Sequence, residues 1–231
     1  MNAALEIPGY LDRRPLVWTF TMLHTYRDIC PYQAAERYVY KNVPFQKTPQ
    51  MAWGEEVHTA MEHRVRAQKP LPEKMREWEP FVSPFDGRNA QVELKLGITA
   101  QGHATGFFDS NVGGRGKADL FIVDNTTAYL NDWKTGNSKY EDPFELRVQS
   151  VLLHAKFPTL TKIKAQYCWL KENRFGSLYD VSDTQSTWNE IQTLVKGIEA
   201  DRQAGKFEKR QGPLCKHCPC KNCEYNKNAN A

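Results

Sequence analysis

Asp119, Asp132 and Lys134 are the residues whose chemical types and spacing point most directly to a reaction. Apolar, strand-like runs flank a turn at Asn125–Thr126, and a hairpin closed by these two residues would place Asp119 opposite Asp132. Directly opposed side chains have Cβ atoms about 4.5–5.5 Å apart, so two carboxylates there repel each other unless a cation lies between them. Lys134 projects from the same face because strand side chains alternate. A hard divalent cation fits this arrangement, which outlines a site for metal-dependent phosphodiester cleavage.

A less specific interpretation stays open for the same residues. Asp119 could be an ordinary strand-edge residue, and Asp132 with Lys134 could form an exposed ion pair that contributes little stability. The triplet Asp-Trp-Lys is by itself a weak signal that occurs by chance in many proteins. The registered pair of acids on an otherwise apolar face favours the metal site.

Composition indicates a globular chain of one domain with appendages. The 231 residues are 40% hydrophobic and 25% charged, and a chain of this length can bury a substantial core. No apolar run approaches the ~20 residues that span a bilayer, and the N-terminus lacks the basic-then-apolar order of a signal peptide. We therefore expect a cytoplasmic protein that does not enter a membrane. A net charge of +4 is compatible with a polyanionic partner.

Hydrophobic periodicity and the placement of proline and glycine predict the elements that must position these side chains. Both faces of the hairpin are apolar, so a sheet built on it needs cover on both sides. The predicted fold class is α/β, with a mixed central β-sheet flanked by helices. Helices are expected as two short pieces within 19–40, with Pro31 in the first turn of the second, and at 50–68, 72–78, 143–157 and about 188–198. Strands are expected at 91–99, on both sides of Asn125–Thr126 after a glycine-rich connection, and at 162–170.

Five features of the chain resemble the RecB-like branch of the PD-(D/E)XK nuclease superfamily. This branch includes the nuclease domains of RecB and AddAB, CRISPR-associated RecB-like exonucleases and phage-encoded relatives. The features are TMLHTYRDICP at 21–31, WGEEVH at 53–58, GKAD at 116–119 with DWKTG at 132–136, a glutamine helix opened by Gln149, and CKHCPCKNC at 215–223.

The resemblance implies a restriction-endonuclease-like core within a single domain over 1–231. An N-terminal helical segment at 19–48 would carry Cys30, and the nuclease core would occupy 50–204. The cysteine cluster would lie at 212–225 and a tail at 226–231.

The resemblance also implies the roles of the site residues. His58, Asp119 and Asp132 would ligate Mg²⁺ or Mn²⁺, with the carbonyl of Trp133 as a further ligand. Lys134 would position or activate the attacking water and stabilise charge on the phosphate. Gln149 would contact substrate or orient the lysine.

The chain departs from the family pattern at three positions, and one further acid is a candidate ligand. Thr21 replaces a serine, and Trp133 replaces a tyrosine on the strand face away from the acids. Leu153, with His154 beside it, stands where the tyrosine of the glutamine helix is expected, which leaves the role of that helix open. Glu93 on the preceding strand is an additional candidate ligand, although a solvated strand-face carboxylate is an equal alternative.

Four of the six cysteines lie between 215 and 223, and in a cytosolic chain such clustering favours metal over disulfides. One arrangement is Zn²⁺ bound by Cys215, Cys218, Cys220 and Cys223, although the central Cys-x-Cys leaves little chain to wrap a tetrahedron. The other is a [4Fe-4S] cluster bound by Cys30, Cys215, Cys218 and Cys223, which the resemblance favours because Cys30 lies in the Cys-Pro segment. Cys220 would then be a spare thiol, and Cys168 a buried core residue.

The activity implied by the resemblance is that of a DNA exonuclease acting on single strands or duplex ends. The process would be DNA recombination, repair or phage replication in a bacterial or phage-infected cell, with recombination or replication proteins as candidate partners. Two alternatives stay open: a non-catalytic DNA-binding or assembly subunit, and a structure-specific endonuclease. The intact set of His58, Asp119, Asp132 and Lys134 counts against the first, and the sequence shows no separate DNA-reading module for the second.

Overall fold

A seven-stranded mixed sheet organises the chain, and the structure, a computed structural model, describes residues 15–226. The strands are β1 (Gln91–Thr99), β2 (Ala104–Thr105), β3 (Val112–Asp124), β4 (Thr127–Lys134), β5 (Lys162–Trp169), β6 (Arg174–Phe175) and β7 (Tyr179–Asp180). Their order is β2-β1-β3-β4-β5-β6, and β7 also pairs with β5. β4 and β5 run parallel, whereas the other pairs are antiparallel. The predicted α/β class with a mixed central sheet is confirmed.

The helices lie where the sequence predicts them, with differences at their ends. The two N-terminal helices continue into π-helical turns, and the predicted helix at 72–78 is a longer 3₁₀ segment. The α-helices are α1 (Phe20–His24), α2 (Pro31–Ala34), α3 (Pro49–Ala67), α4 (Phe144–Lys156) and α5 (Thr184–Ala204). The π-helical turns are Thr25–Ile29 and Ala35–Val39, and the 3₁₀ segments are Glu73–Phe81, Ser83–Phe85, Ser138–Tyr140, Leu170–Glu172 and Pro213–His217. None of the described helices has both the length and the apolar character that a bilayer crossing requires.

Helices cover both faces of the sheet, as the apolar hairpin predicts. On one face α1, α4 and α5 enclose Phe121 and Leu130, and we call this cluster the α4-side core. On the other face α3 and the 3₁₀ segment Glu73–Phe81 enclose Leu120 and Trp133, and we call this cluster the α3-side core. The cover does not reach the hairpin tip, where Val123 is 42% and Tyr129 37% exposed.

The hairpin has the predicted register. Phe121 pairs with Leu130, and Asp124 pairs with Thr127 across the two-residue turn. Asn125 has a φ of 54°, a left-handed conformation that asparagine tolerates better than most residues. The regular ladder reaches Leu120 and Asn131, so it stops one position before the two acids.

The glycine-rich stretch before the hairpin is part of β3, which corrects the prediction of a connecting loop. It pairs with β1, and a parallel bridge joins Gly114 to Trp18 on its other edge. Trp18 donates its N–H to the Gly113 carbonyl at 3.0 Å, and Arg115 donates to the Trp18 carbonyl at 3.0 Å. A Cβ on Gly114 would lie 1.9 Å from the Trp18 ring. A tryptophan distant in sequence therefore makes glycine necessary here.

Two predicted features lie wholly or mostly outside the described residues. The N-terminal sequence on which the absence of a signal peptide was judged ends at residue 14. The predicted tail at 226–231 is described only at its first residue, Asn226.

Candidate metal site and cysteine-rich segment

His58 brings α3 to the end of the β3–β4 hairpin. Its Nε2 lies 3.0 Å from the carbonyl oxygen of Trp133. Its Nδ1 lies 3.3 Å from Glu93 Oε1 and 3.4 Å from Asp119 Oδ1. All three neighbours accept hydrogen bonds, so both ring nitrogens must carry a hydrogen in this arrangement.

The electrostatics of His58 agree with this geometry. Burial acts to lower the pKa of the ring, but hydrogen bonds to Asp119 and Glu93 and the charges of Asp119 and Asp132 outweigh it. Together they raise the pKa from 6.5 to about 10. The site therefore stabilises positive charge at the position of His58.

Glu93 occupies a strained position in β1. Its φ is 50°, which is unusual for a non-glycine residue inside a strand. The flanking pairs Val92–Leu120 and Leu94–Ala118 are regular, yet Val92 packs in the α3-side core and Leu94 against the α4-side core. Residues two apart in a strand normally share a face, so β1 changes face at Glu93. Strain of this kind concentrates at functional sites.

Asp119, opposite Glu93 in register, lies where β3 also changes face. The carboxylate is 7% exposed, and its Oδ2 accepts a hydrogen bond from the Trp133 amide at 3.0 Å. Burial and the charge of Asp132 raise the pKa of Asp119, although His58 and Lys134 act in the opposite direction. Among the described residues, only His58, Glu93 and Asp119 bring three metal-ligating atoms within 4.8 Å of one another.

Asp132 and Lys134 form the other half of the site, next to α4. Asp132 is 2% exposed, and its Oδ1 accepts a hydrogen bond from Gln149 Nε2 at 2.8 Å. Lys134 Nζ lies 2.6 Å from Asp132 Oδ2 as an ion pair. Burial acts to lower the pKa of Lys134, but Asp132, Glu145 and Asp119 hold it well above its usual value. Lys134 therefore remains positively charged.

Glu145 is a site residue that the sequence analysis missed. It precedes Gln149 by four positions on α4, so the two share a helix face, and this spacing was the available signal. Glu145 Oε2 accepts a hydrogen bond from Lys134 Nζ at 2.7 Å. Burial and the charge of Asp132 raise the pKa of Glu145 to about 7, against the effect of Lys134.

The donor set fits a divalent cation. The ligating atoms of His58, Glu93 and Asp119 lie within 4.8 Å of one another, with both carboxylates beside Nδ1 of the ring. The Trp133 carbonyl lies beside the other ring nitrogen, Nε2, and Asp132 contributes further negative charge. A cation bound there would replace the proton shared by His58, because an imidazole must be neutral to ligate a metal. The cation would also offset the repulsion from Asp132 that, together with burial, raises the pKa of Asp119.

The remaining predicted residues are placed as follows. The α4 helix, whose role the sequence left open, lies against the site and directs Gln149 to Asp132 rather than to Lys134. Leu153, at the position of the expected tyrosine, is fully buried in the α4-side core. The Trp133 ring packs in the α3-side core, on the side of the sheet away from Phe121 and Leu130.

Residues 205–226, which we call the cysteine-rich segment, lie against the N-terminal helices. Tyr32 donates its N–H to the Glu208 carbonyl at 2.9 Å. Cys30 Sγ accepts a hydrogen bond from the Arg210 amide at 3.4 Å, and Cys215 Sγ accepts one from the Gly212 amide at 3.3 Å. Cys30 therefore lies beside this segment.

The local cysteines differ in burial. Cys220 is 3% and Cys223 8% exposed, whereas Cys215 and Cys218 are half-buried. Burial and the neighbouring Cys218 raise the pKa of the Cys220 thiol. Within residues 15–226 no three cysteine sulfurs lie within 4.8 Å of one another, in contrast to the His58 cluster. Cys168 is fully buried in β5, as predicted.

A mixed sheet with a partly buried His-Glu-Asp cluster and an adjacent Asp-x-Lys is the architecture of a metal-dependent nuclease core. Residues 17–223 match the sequence model of the PD-(D/E)XK nuclease superfamily, and the chain belongs to this superfamily. No curated protein matches the chain.

Solved structures share the fold at low sequence identity. The protein SSO0001 is 17% identical with a TM-score of 0.54, and the alignment covers 96% of this chain and 89% of that one. A protein from Eubacterium rectale named "Putative exonuclease" is 8% identical with a TM-score of 0.56, and the alignment covers 100% of this chain and 94% of that one.

Proposed function

We propose that the protein is a Mg²⁺- or Mn²⁺-dependent deoxyribonuclease, acting as an exonuclease on single-stranded DNA or duplex ends. The observation that carries this proposal is the convergence of three buried or half-buried ligands from α3, β1 and β3 next to Asp132 and Lys134. Membership of the nuclease superfamily and the fold shared with the Eubacterium rectale protein support it. Recombination, repair or phage replication is the proposed process, in a cytoplasmic setting.

His58, Glu93, Asp119, Asp132 and the Trp133 carbonyl would hold the cation. A cation bound there would polarise the scissile phosphate and lower the pKa of a bound water. The buried carboxylates define where the cation binds, and the neighbouring Trp133 and Val92 keep the α3 side of the site apolar.

Lys134 would stabilise negative charge as it develops on the phosphate. It is held between Asp132 and Glu145, which places its ammonium as a positive charge and a hydrogen-bond donor to water beside the phosphate. Gln149 would orient the Asp132 carboxylate through the bond to Oδ1, which leaves Oδ2 to face Lys134.

The test is cleavage of labelled DNA in four forms: single-stranded and duplex, each linear and circular, with Mg²⁺ or Mn²⁺. We expect digestion of the linear forms, and loss of digestion in Asp132→Ala. Asp124→Ala is the matched control, because Asp124 is an exposed acid at the tip of the same hairpin. No digestion by wild type, or digestion that survives Asp132→Ala, would reject the proposal. Cleavage of circular DNA would favour an endonuclease, and DNA binding without cleavage a non-catalytic subunit.

We also propose that Cys30, Cys215, Cys218 and Cys223 bind a [4Fe-4S] cluster. The chemistry of the donor set supports it: four thiols lie on two adjacent segments, and backbone amides already donate hydrogen bonds to the sulfurs of Cys30 and Cys215.

Iron and zinc analysis of anaerobically purified protein separates the two cofactors. We expect a brown protein that loses its iron in Cys30→Ala and retains it in Cys220→Ala. Cys168→Ala, in the sheet core, is the control. A colourless protein rich in zinc, with metal lost in Cys220→Ala and retained in Cys30→Ala, would favour the zinc alternative.

A further inference from the structure

A row of basic side chains leads from the candidate metal site along β1 and β3. Lys117 forms an ion pair with Glu93, the strained candidate ligand. Lys95 lies opposite Lys117 in the ladder, and Arg115 lies opposite Gly97. Opposed partners share a face and side chains alternate along a strand, so the three basic residues lie on one face. We call Lys117, Lys95 and Arg115 the basic row.

Two members of the basic row lack acidic partners among residues 15–226. Neither Lys95 nor Arg115 forms an ion pair there, and both lie over aromatic rings instead. Lys95 Nζ is 5.3 Å from the centroid of Phe108, and Arg115 Cζ is 5.1 Å from that of Phe107. The row thus carries uncompensated positive charge and ends at an aromatic pair.

The aromatic pair is exposed where a structural role would require burial. Phe108 is 75% exposed, and its ring centroid lies 4.9 Å from that of Phe107 at an angle of 72°. A phenylalanine this open gains little from the hydrophobic effect in the folded chain. Its ring instead presents a face to solvent beside two cations.

The loop that carries the pair is held in one shape. Asp109 Oδ2 accepts hydrogen bonds from the Gly106 amide at 2.7 Å and from the Thr105 hydroxyl at 2.8 Å. A Cβ on Gly106 would lie 2.5 Å from Asp109, and one on Gly97 would lie 2.7 Å from the Gly106 carbonyl. The close approach of loop and strand therefore fixes the aromatic pair relative to the basic row.

We propose that the basic row and the Phe107–Phe108 pair bind the backbone and one base of a single DNA strand whose scissile phosphate lies at the metal site. This inference rests on the proposed nuclease function. Cationic side chains that track phosphates, followed by an aromatic ring on which a base stacks, form the general recognition mode for single strands. In a duplex the faces of internal bases are covered by their neighbours, so an exposed phenylalanine selects an unpaired base.

The dimensions agree with this occupant. Four residues of β3 separate Asp119 from Arg115, which is about 14 Å at the rise of an antiparallel strand. A stacked strand spans that distance in roughly four nucleotides. The strand would thus reach from the catalytic centre to the aromatic pair without interruption.

We call the basic row together with the Phe107–Phe108 pair the single-strand track. Fluorescence anisotropy with the full-length protein tests whether it binds DNA, and EDTA prevents cleavage during the measurement. The probes are a labelled 12-nucleotide oligothymidine and a blunt 12-base-pair duplex. Stacking of one base predicts that Phe108→Ala binds the single strand at least about fivefold more weakly, with a smaller effect on the duplex. Lys95→Gln should reduce the slope of log affinity against log salt by about 0.7, the value for one phosphate of a single strand.

Matched variants distinguish base stacking from a general apolar contact. Phe108→Trp should retain affinity and Phe108→Leu should lose it, because only the first keeps an aromatic face. Phe45→Ala, at a 70% exposed phenylalanine before α3, and Lys196→Gln on α5 are controls that should bind as wild type. Retention of affinity in Phe108→Leu would instead indicate an apolar protein contact and overturn the proposal.

The two proposals fail in different ways. If wild type binds oligothymidine through Phe108 but cleaves no DNA with Mg²⁺ or Mn²⁺, the single-strand track is supported and the nuclease function is rejected. If Phe108→Ala cleaves DNA with wild-type affinity and KM, the nuclease function is supported and the single-strand track is rejected. Failure of wild type to bind the single strand would also overturn the track.

Discussion

The candidate metal site and the cysteine-rich segment offer a contrast within one chain. The metal site draws its residues from α3, β1, β3, β4 and α4, and the ligand atoms of His58, Glu93 and Asp119 already lie within 4.8 Å of one another. The cysteine-rich segment has only the 3₁₀ turn Pro213–His217 for regular structure, and its sulfurs are not gathered in this way.

The difference lies in what balances the charges. At the metal site the carboxylates are held by Lys134, Lys117 and a protonated His58, so the fold assembles the site by itself. In the cysteine-rich segment, backbone amides donate hydrogen bonds to the sulfurs of Cys30 and Cys215, and the thiols would gain their strongest bonds from a metal. We therefore expect the first site to persist without its cation and the second to depend on its cofactor.

The largest effect is expected when the internal counter-charge is removed. Lys134→Met leaves Asp132 and Glu145 buried without an ammonium, and should lower kcat at least 100-fold because a positive charge is lost where negative charge develops. It should also lower the free energy of unfolding by about 2 kcal/mol at pH 8. Urea unfolding and DNA cleavage measure the two effects, with Lys196→Met as control. An unchanged free energy of unfolding would show that Lys134 does not stabilise the two carboxylates in the folded protein.

Removal of the cofactor proposed for the cysteine-rich segment should affect that segment alone. Chelation, or Cys30→Ala, should open residues 205–226 to limited proteolysis while 49–204 stay protected, because the segment has few backbone bonds of its own. Mass spectrometry of the fragments locates the cuts. Equal protection with and without the cofactor would remove the contrast between the two regions.

A pH effect should appear in the metal-free protein. The pKa of Glu145 is raised from 4.5 to about 7, so the folded state keeps a proton that the unfolded state has lost. Its stabilising contribution is present at low pH and lost as pH rises through 7, and the raised pKa of Asp119 acts in the same direction.

The Tm in EDTA should therefore fall between pH 5 and 8, by the equivalent of roughly 1–3 kcal/mol. Glu145→Gln should reduce this dependence without abolishing it, because the raised pKa of His58 also lowers stability above pH 6.5. Glu73→Gln should leave the dependence unchanged, and Mn²⁺ should oppose the fall. A Tm that rises over the same range in EDTA would contradict the assigned shifts.

The smallest effect concerns the strain at Glu93. Glu93→Gly and Glu93→Ala both remove a candidate ligand, but only glycine adopts a φ of 50° without cost. The glycine variant should be more stable than the alanine variant by about 1 kcal/mol, with equally weakened Mn²⁺ binding. Urea unfolding and metal titration separate the two quantities. Equal stabilities would mean that β1 relaxes when the carboxylate is removed.

The hairpin could be predicted from the local sequence, because the pattern that defines it lies within 16 residues, from Asp119 to Lys134. Alternation, a two-residue turn and the register followed from the sequence, and the structure agrees from Asp124–Thr127 to Leu120–Asn131. The approach of His58 was inferred from family resemblance, because the apolar residues of α3 indicate its buried face but not the part of the sheet that this face meets.

Other parts depend on long-range contacts that no local pattern encodes. The face change at Glu93 requires both strands to distort together, so its carboxylate could not be ranked above a solvated one. The strand character of the glycine-rich stretch depends on Trp18. Glu145, by contrast, is predictable from the sequence, because its four-residue spacing from Gln149 places both side chains on one face of α4.

The bridge between Trp18 and Gly114 also bears on how the protein avoids self-association. β3 is 13 residues long and β4 only 8, so the first half of β3 extends beyond its β4 partner on that edge. A flat, glycine-rich strand with unpaired amides and carbonyls is a template for joining the strand of another molecule. Trp18 occupies those groups with its own backbone and covers Gly114 with its ring. A chain shortened past this tryptophan should therefore aggregate through the sheet before it loses the residues of its active centre.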